Sequence, residues 1–138
     1  SIGYLIKRSH VLIIRNIDTE LAPFDLTSKQ WIPLQVIGQG RGDTVATIAR
    51  EAGIDGGAMT RMLDRLEAKG LVKRIRRTDD RRVVNIELTK TGKELVDHIP
   101  EAIYKVLNQL LSGFNKSEFT QLKNLLSRMI INGENSVV

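Results

Sequence analysis

The stretch that decides the fold reads Asp55-Gly-Gly-Ala-Met-Thr-Arg-Met-Leu-Asp-Arg-Leu-Glu-Ala-Lys-Gly70. Asp55 is a strong helix cap, and its position predicts a helix over 57–69. Ala58, Met62, Leu63 and Leu66 recur at helical spacing on the inward side, with Thr60, Arg61, Asp64, Arg65 and Ala68 toward the other. Gly70 is the C-terminal glycine and Leu71 the apolar contact after it. Just upstream, Asp43 or Thr44 caps a short helix over 45–52, with Val45, Ile48 and Ala49 inward. Gly53 closes that helix, and Ile54-Asp55 links it to the next. Downstream, 72–75 and 83–88 read as strands, the second alternating as Val84, Ile86 and Leu88. Between them lies the polar tip Arg76-Arg-Thr-Asp-Asp-Arg-Arg82.

A helix, a tight turn, a second helix and a basic hairpin make a winged helix-turn-helix. Such a unit places its second helix in the major groove, with base-reaching side chains near that helix's N-terminus. Gly56 and Gly57 let backbone come close to phosphates there, and the helix N-terminus itself favours anions. Thr60 and Arg61 follow on the exposed side, and a good bidentate arginine–guanine contact is worth about 1–3 kcal/mol of discrimination. Arg65, one turn later, reaches a base or a phosphate, or else pairs with an acid such as Asp64. In the hairpin, Lys73 and Arg74 stand on the approach and Arg76, Arg77, Arg81 and Arg82 at the tip. There a basic loop can enter a neighbouring minor groove, where negative potential concentrates. Asp79 and Asp80 then serve as local partners that hold the loop and orient its arginines.

The charge balance agrees. The chain carries a net charge of +5, and residues 50–93 hold twelve Lys/Arg against seven Asp/Glu. The remainder is balanced at nine against nine, so the whole excess lies where a polyanion would meet it. The alternative for charge alone is a solvated face.

The remaining chain supplies helices. Residues 2–22 read as one, with Ile2, Leu5, Ile6, Leu12, Ile13, Ile17 and Leu21 at three- and four-residue steps and Val11 and Ile14 widening the arc. A helix so broadly apolar needs wrapping, some of it by a second chain. Pro23 ends it. Thr27 or Ser28 caps a second helix with Trp31, Leu34, Val36 and Ile37 as its stripe, and Pro33 requires that helix to begin at about residue 28 or 29. Gly38-Gln-Gly-Arg-Gly42 is a turn, not a phosphate loop, since no strand precedes it and no Gly-Lys-Ser/Thr follows. Thr89 caps a long helix to about residue 113, striped by Leu95, Ile99, Ile103, Val106 or Leu107, Leu110 and Phe114, with Pro100 kinking or breaking it. Asn115-Lys-Ser-Glu118 is a capping box for a last helix bearing Phe119, Leu122, Leu125, Leu126, Met129 and Ile130. A frayed tail is expected from Asn132.

Other classes are excluded or unsupported. With no cysteine there is no disulfide framework, thiolate metal site or cysteine redox sensor. His10 and His98, the two histidines, suggest no metal site and no catalytic set, so neither an enzyme nor a cofactor is expected. The longest apolar run, Val11 to Ile14, is four residues, far short of the ~18 a membrane span needs. No cleavable signal is read at the start, although the chain begins at Ser1. The expected compartment is the cytoplasm, without a membrane partner.

Asp80-Arg-Arg82, five residues, then Leu88-Thr89-x-x-Gly92 resembles the Asp-x-Arg-(five)-Leu-Thr-x-x-Gly wing signature of the multiple-antibiotic-resistance regulator (MarR) family. Ala58-Met-Thr-Arg-Met-Leu-Asp-Arg-Leu-Glu-Ala-Lys-Gly-Leu71 is similar to that family's recognition helix, and the helix order extends the resemblance over nearly the whole chain. It implies a mainly α fold with a small β-hairpin wing, a winged helix-turn-helix with N- and C-terminal dimerisation helices. One domain over 1–138 would divide into a DNA-binding part, 27–92, and a helical dimerisation part, 1–22 and 93–131. The resemblance implies a homodimeric repressor of a palindromic double-stranded DNA operator. It carries the minor-groove role onto Arg82, with Asp80 as its organiser. It also implies release by a small phenolic or aromatic acid effector bound between the two parts.

An anionic aromatic ligand wants a cation, a hydrogen-bond donor and an apolar wall. His10 and Arg15 on the first helix and Trp31 on the second are the candidates, each with an ordinary interface, surface or core role as the alternative. The rival functional readings are a ligand-independent regulator and a winged helix used as a protein-interaction or RNA-binding module.

Overall fold

The computed structural model describes residues 1–136, which fall into two compact units, residues 1–106 and residues from 107 onward. The order of elements is α1 (Ile2–Leu21), a 3-10 turn (Ala22–Phe24), α2 (Ser28–Gly38), α3 (Val45–Ala52), α4 (Gly56–Ala68), β1 (Val72–Arg76), β2 (Val84–Leu88), α5 (Lys90–Val96), α6 (Ile99–Leu110) and α7 (Lys116–Ser136). The chain is mainly helical, with one antiparallel hairpin. Among the described residues, no helix is long and apolar enough to cross a membrane.

In the first unit, α1 begins at Ser1, whose hydroxyl oxygen accepts from the Tyr4 N–H at 3.2 Å. Its apolar stripe is covered only toward its end. Ile17 and Leu21 are buried, Val11 to Ile14 are half-buried, and Ile2, Leu5 and Ile6 are exposed. Pro23 lies in the 3-10 turn, which ends at Asp25 in the left-handed region. At the start of α2, the Thr27 N–H donates to the Gln30 side chain at 3.4 Å. Pro33 falls in the second turn of α2, not the first, and is buried. It has no N–H for the Lys29 carbonyl, and the helix tolerates the loss with the ring packed inward among Trp31, Leu34 and Val36.

The core gathers Leu26, Leu34, Ile48, Leu63, Leu66, Ile86, Ile99 and Val106 from five elements and a loop. α3 starts at Thr44, whose hydroxyl accepts from the Thr47 N–H at 3.2 Å, and stops at left-handed Gly53. At the start of α4 the Asp55 carboxylate accepts from the N–H groups of Gly57 and Ala58 at 3.0 and 3.2 Å. The helix thus begins at Gly56 and ends at Ala68. Its buried line is Met59, Leu63 and Leu66, while Ala58 and Met62 are only half-covered. The inward arc is turned from the expected one, with Met59 at the centre of the first turn.

β1 and β2 pair with Lys73 opposite Glu87 and Arg74 opposite Ile86. The loop before α3 joins the sheet's outer edge, since the Ile86 N–H donates to the Asp43 carbonyl at 2.7 Å. The expected long helix after Thr89 is two helices, broken at Asp97 and His98. Pro100 thereby becomes the second residue of α6, where its missing N–H costs nothing. Ile99, Ala102 and Val106 are its buried line. α6 ends at Leu110, and Leu110 and Phe114 are exposed.

In the second unit, the Asn115/Glu118 capping box forms reciprocally, at 2.8 and 3.0 Å. α7 continues to Ser136, past the expected fraying point at Asn132, and the rest of that tail lies outside the described residues. None of the residues of α7 is buried. Phe119, Leu122, Leu125, Leu126, Met129 and Ile130 all face outward.

Candidate nucleic-acid interface

Four hydrogen bonds, two of them through the Thr89 hydroxyl, present α4 and the hairpin together. At the end of α4, left-handed Gly70 lets the Leu71 N–H reach back to the Leu66 carbonyl at 2.9 Å, and the Leu71 side chain is buried. At the end of the hairpin, the Thr89 N–H donates to the Leu71 carbonyl at 3.0 Å, and its hydroxyl donates to the Gly70 carbonyl at 2.6 Å. The same hydroxyl oxygen accepts from the Gly92 N–H at 3.0 Å, starting α5. A Cβ at Gly92 would stand 2.0 Å from the Leu71 carbonyl oxygen, so only glycine fits. The Leu-Thr-x-x-Gly spacing is therefore a joint that closes the wing onto the exit of α4.

On α4, Gly56, Gly57, Thr60, Arg61 and Arg65 are all exposed. A Cβ at Gly56 would meet nothing within 4 Å. One at Gly57 would lie 3.8 Å from Arg61 Nη1, so the Arg61 guanidinium lies over the first turn of its own helix. The Thr60 hydroxyl donates to the Gly56 carbonyl at 3.0 Å, leaving its oxygen as an acceptor. Among the described residues neither Arg61 nor Arg65 has an ion pair. Asp64, the acid weighed as a partner for Arg65, belongs to Arg74.

The wing tip is ordered by its own acids. Asp80 Oδ1 accepts from the Arg82 N–H at 3.1 Å and from its Nε at 3.0 Å, and Oδ2 accepts from Nη2 at 3.2 Å. Arg82 nonetheless keeps 91% of its side chain exposed. The Arg82 guanidinium, and then its backbone N–H, hold the Asp80 carboxyl below the usual carboxylate range. Arg77 chelates Asp79, which raises the arginine and lowers the acid through the same hydrogen bonds. Arg76 donates to the Arg81 carbonyl, while Arg81 and Lys73 make no side-chain ion pair among the described residues.

Arg74 departs from the expected backbone-holding role. Its guanidinium is 2.7 Å from both Asp64 and Glu67 of α4 and is largely covered, with 27% of the side chain exposed. Both of its partners belong to the protein.

The MarR family model matches residues 26–84. The fold is similar to the crystal structure of a cysteine-to-serine mutant of E. coli MarR complexed with operator DNA, with 29% identity, 92% of this chain and 91% of that one covered, and a TM-score of 0.83. It is similar also to the S. aureus MepR–DNA complex, with 28% identity, 96% and 98% covered, and a TM-score of 0.84. Residues 26–84 thus match the MarR family, and the fold of the chain is that of solved MarR-family regulators. A third MarR-like structure, the transcriptional repressor CouR bound to a 23-mer DNA duplex, matches at 25% identity over 94% of this chain and 92% of that one, with a TM-score of 0.83. MarR-family members are transcription regulators, not enzymes, in agreement with the non-enzymatic reading.

The three candidate ligand residues do not converge. His10 and Arg15 line a shallow hollow of about 400 Å³ along α1, with Val11, Ile14 and Asp18. Trp31 is absent from it. Its ring is buried, and its Nε1–H donates to Asp18 at 2.8 Å, so it is a core residue that holds α2 to α1.

Two features near this surface are not signalled by the sequence. Lys69, at the end of α4, reaches the Asp25 carbonyl at 2.8 Å, the Asp25 carboxylate at 3.3 Å and Gln30 at 3.4 Å. That anchors the helix to the turn after α1, and no local motif signals a contact across 44 residues. A larger cleft, about 810 Å³, opens where the loop of residues 38–43 meets β2 and α5, with Lys93 among Asp43, Glu87 and Asp97 over an Ile37, Ile86 and Val96 floor.

Proposed function

We propose that the protein is a sequence-specific double-stranded DNA-binding transcriptional regulator, working as a homodimeric repressor. The observation that carries this reading is the exposed N-terminal half of α4, with Gly56 open and Arg61 without an ion pair among the described residues, beside a wing whose Asp80 holds Arg82 outward. Gly56, Gly57, Thr60, Arg61 and Arg65 take the major groove. Arg82 takes the minor groove, and Lys73, Arg76, Arg77 and Arg81 supply charge to the backbone. The operator-bound MarR and DNA-bound MepR structures, similar over nearly their whole length, support the DNA-binding reading.

The dimer is supported by apolar side chains without cover in one chain. Tyr4 and Leu5 on α1 and Phe119, Leu125, Met129 and Ile130 on α7 are 47–61% exposed. Helices so exposed call for a partner surface. α1 and α7 are accordingly assigned to dimerisation and α2 through β2 to DNA. Sedimentation at micromolar concentration should give a dimer, and a folded monomer would remove this part.

The effector is proposed as a small aromatic or phenolic acid held by His10 and Arg15, with Val11 and Ile14 as the apolar wall. Trp31 is no longer a candidate. A thermal-shift screen of aromatic acids, followed by DNA binding, tests it. Stabilisation with loss of operator affinity is expected, and no stabilisation by any of them favours the ligand-independent regulator. For the DNA reading itself, salt-sensitive binding to duplex and none to single-stranded RNA is expected. The reverse would favour an RNA module.

A further inference from the structure

We propose that Arg74 acts in DNA recognition as a positioning residue, a clasp that sets the wing against the reading helix, and does not itself touch DNA. The inference rests on α4 being the DNA-reading helix. Strand alternation carries it. Val72 is buried on the inner face of β1, Arg74 shares that face, and Lys73 and Ile75 are exposed on the other. Opposite Arg74 in the ladder stands Ile86, which is buried. Lys73, on the outer face, is open to phosphate, whereas Arg74 stands between buried Val72 and Ile86. An inward arginine needs partners, and Arg74 has two carboxylates at 2.7 Å.

Those acids are Asp64 and Glu67, one turn apart on one side of α4. A guanidinium can fork between them where an ammonium, as a point charge, cannot. Isolated surface pairs contribute little, but this one is partly covered, doubly bonded and anchored at both ends in packed elements. The strand end is held by Ile86 in the core and the helix end by Leu63 and Leu66. Breaking it would free the angle between wing and helix without removing a DNA contact. The same fork neutralises two carboxylates that would otherwise sit unpaired on the reading helix.

The sign of one substitution separates this from a phosphate contact. Removing acid near a polyanion site ordinarily tightens binding. Full-length wild type, Arg74→Met, the pair Asp64→Asn with Glu67→Gln, and all three changes together are titrated with a selected duplex across salt. Melting curves and hydroxyl-radical footprints accompany the titrations. The clasp predicts that Arg74→Met and the acid-neutralised pair each weaken the folded protein's affinity, roughly five- to tenfold. All three changes together should be no worse than either. The salt slope should stay at its wild-type value, and minor-groove protection at the site's flanks should fade while protection under α4 persists. Tighter binding by the acid-neutralised pair, or a slope lower by about one for Arg74→Met, would make Arg74 a phosphate contact and overturn the proposal. A lowered melting point with unchanged affinity and footprint would make it a general stabiliser and overturn it equally. Wild type that binds no duplex would instead sink the DNA reading beneath it.

Discussion

Gly92→Ala tests the joint that closes the wing. The added Cβ would stand 2.0 Å from the Leu71 carbonyl oxygen and 3.0 Å from its carbon. A carbon–oxygen contact settles at about 3.3 Å or more, so something must move by over ~1 Å. Little there can yield. The oxygen belongs to the backbone of a buried residue and accepts the Thr89 N–H at 3.0 Å. Overpacking of this kind costs about 1–3 kcal/mol, and loss of the Thr89 hydrogen bond another ~0.5–1.5 kcal/mol. Against that, alanine gains about 1 kcal/mol over glycine within a helix. A net loss of roughly 1–3 kcal/mol remains, or about 3–10 °C in melting temperature for a chain of this size. Circular dichroism melts of wild type and Gly92→Ala are the assay. A variant melting at or above wild type would refute the reasoning, because it would mean that the Leu71–Thr89 join is not where the tight contact lies.

Gly56→Ala is the counterpart. Its Cβ meets nothing within 4 Å in the free protein, so melting should be unchanged or rise by a degree or more, following ~0.4–1 kcal/mol of lost unfolded-state freedom. DNA affinity should fall because that space is where the phosphate backbone approaches, and unchanged affinity would remove Gly56 from the interface. Asp80 gives a pH test. Its carboxyl lies below the usual range, so the wing order it supplies is fully present above its ordinary value near 3.9 and is lost only as pH falls through the lowered one. Wing-dependent affinity, measured as the ratio of wild type to Arg82→Ala, should therefore be flat from about pH 8 to pH 5, and a ratio that falls across that interval would contradict the pairing.

Much of the fold was legible because its signals are local. Caps at Thr44, Asp55, Thr89 and Asn115 and left-handed turns at Gly53 and Gly70 bound the helices as read. What escaped depends on phase or on distance. Met59 displaced Ala58 from the centre of the buried line because an apolar run on a short helix leaves its rotation open by one residue. Pro33 was kept out of the second turn by a rule that a packed core overrides. For the interface, the Asp80–Arg82 pairing could be read from neighbours two residues apart. Arg74 could have been read too, since alternation from Val72 already pointed it inward. The Lys69 anchor could not, because Asp25 and Gln30 lie around forty residues away. Nor could the separation of Trp31 from the hollow lined by His10 and Arg15, which turns on how α1 and α2 face each other.

The most direct measurement is selection of bound duplexes from a random pool by the full-length protein, repeated with Arg61→Ala. The expected result is a two-fold symmetric sequence with half-sites about 10 bp apart, whose strongest positions blur in the variant while its affinity for unselected DNA holds. A pool that stays random with the wild-type protein, although binding occurs, would contradict the claim that α4 reads sequence.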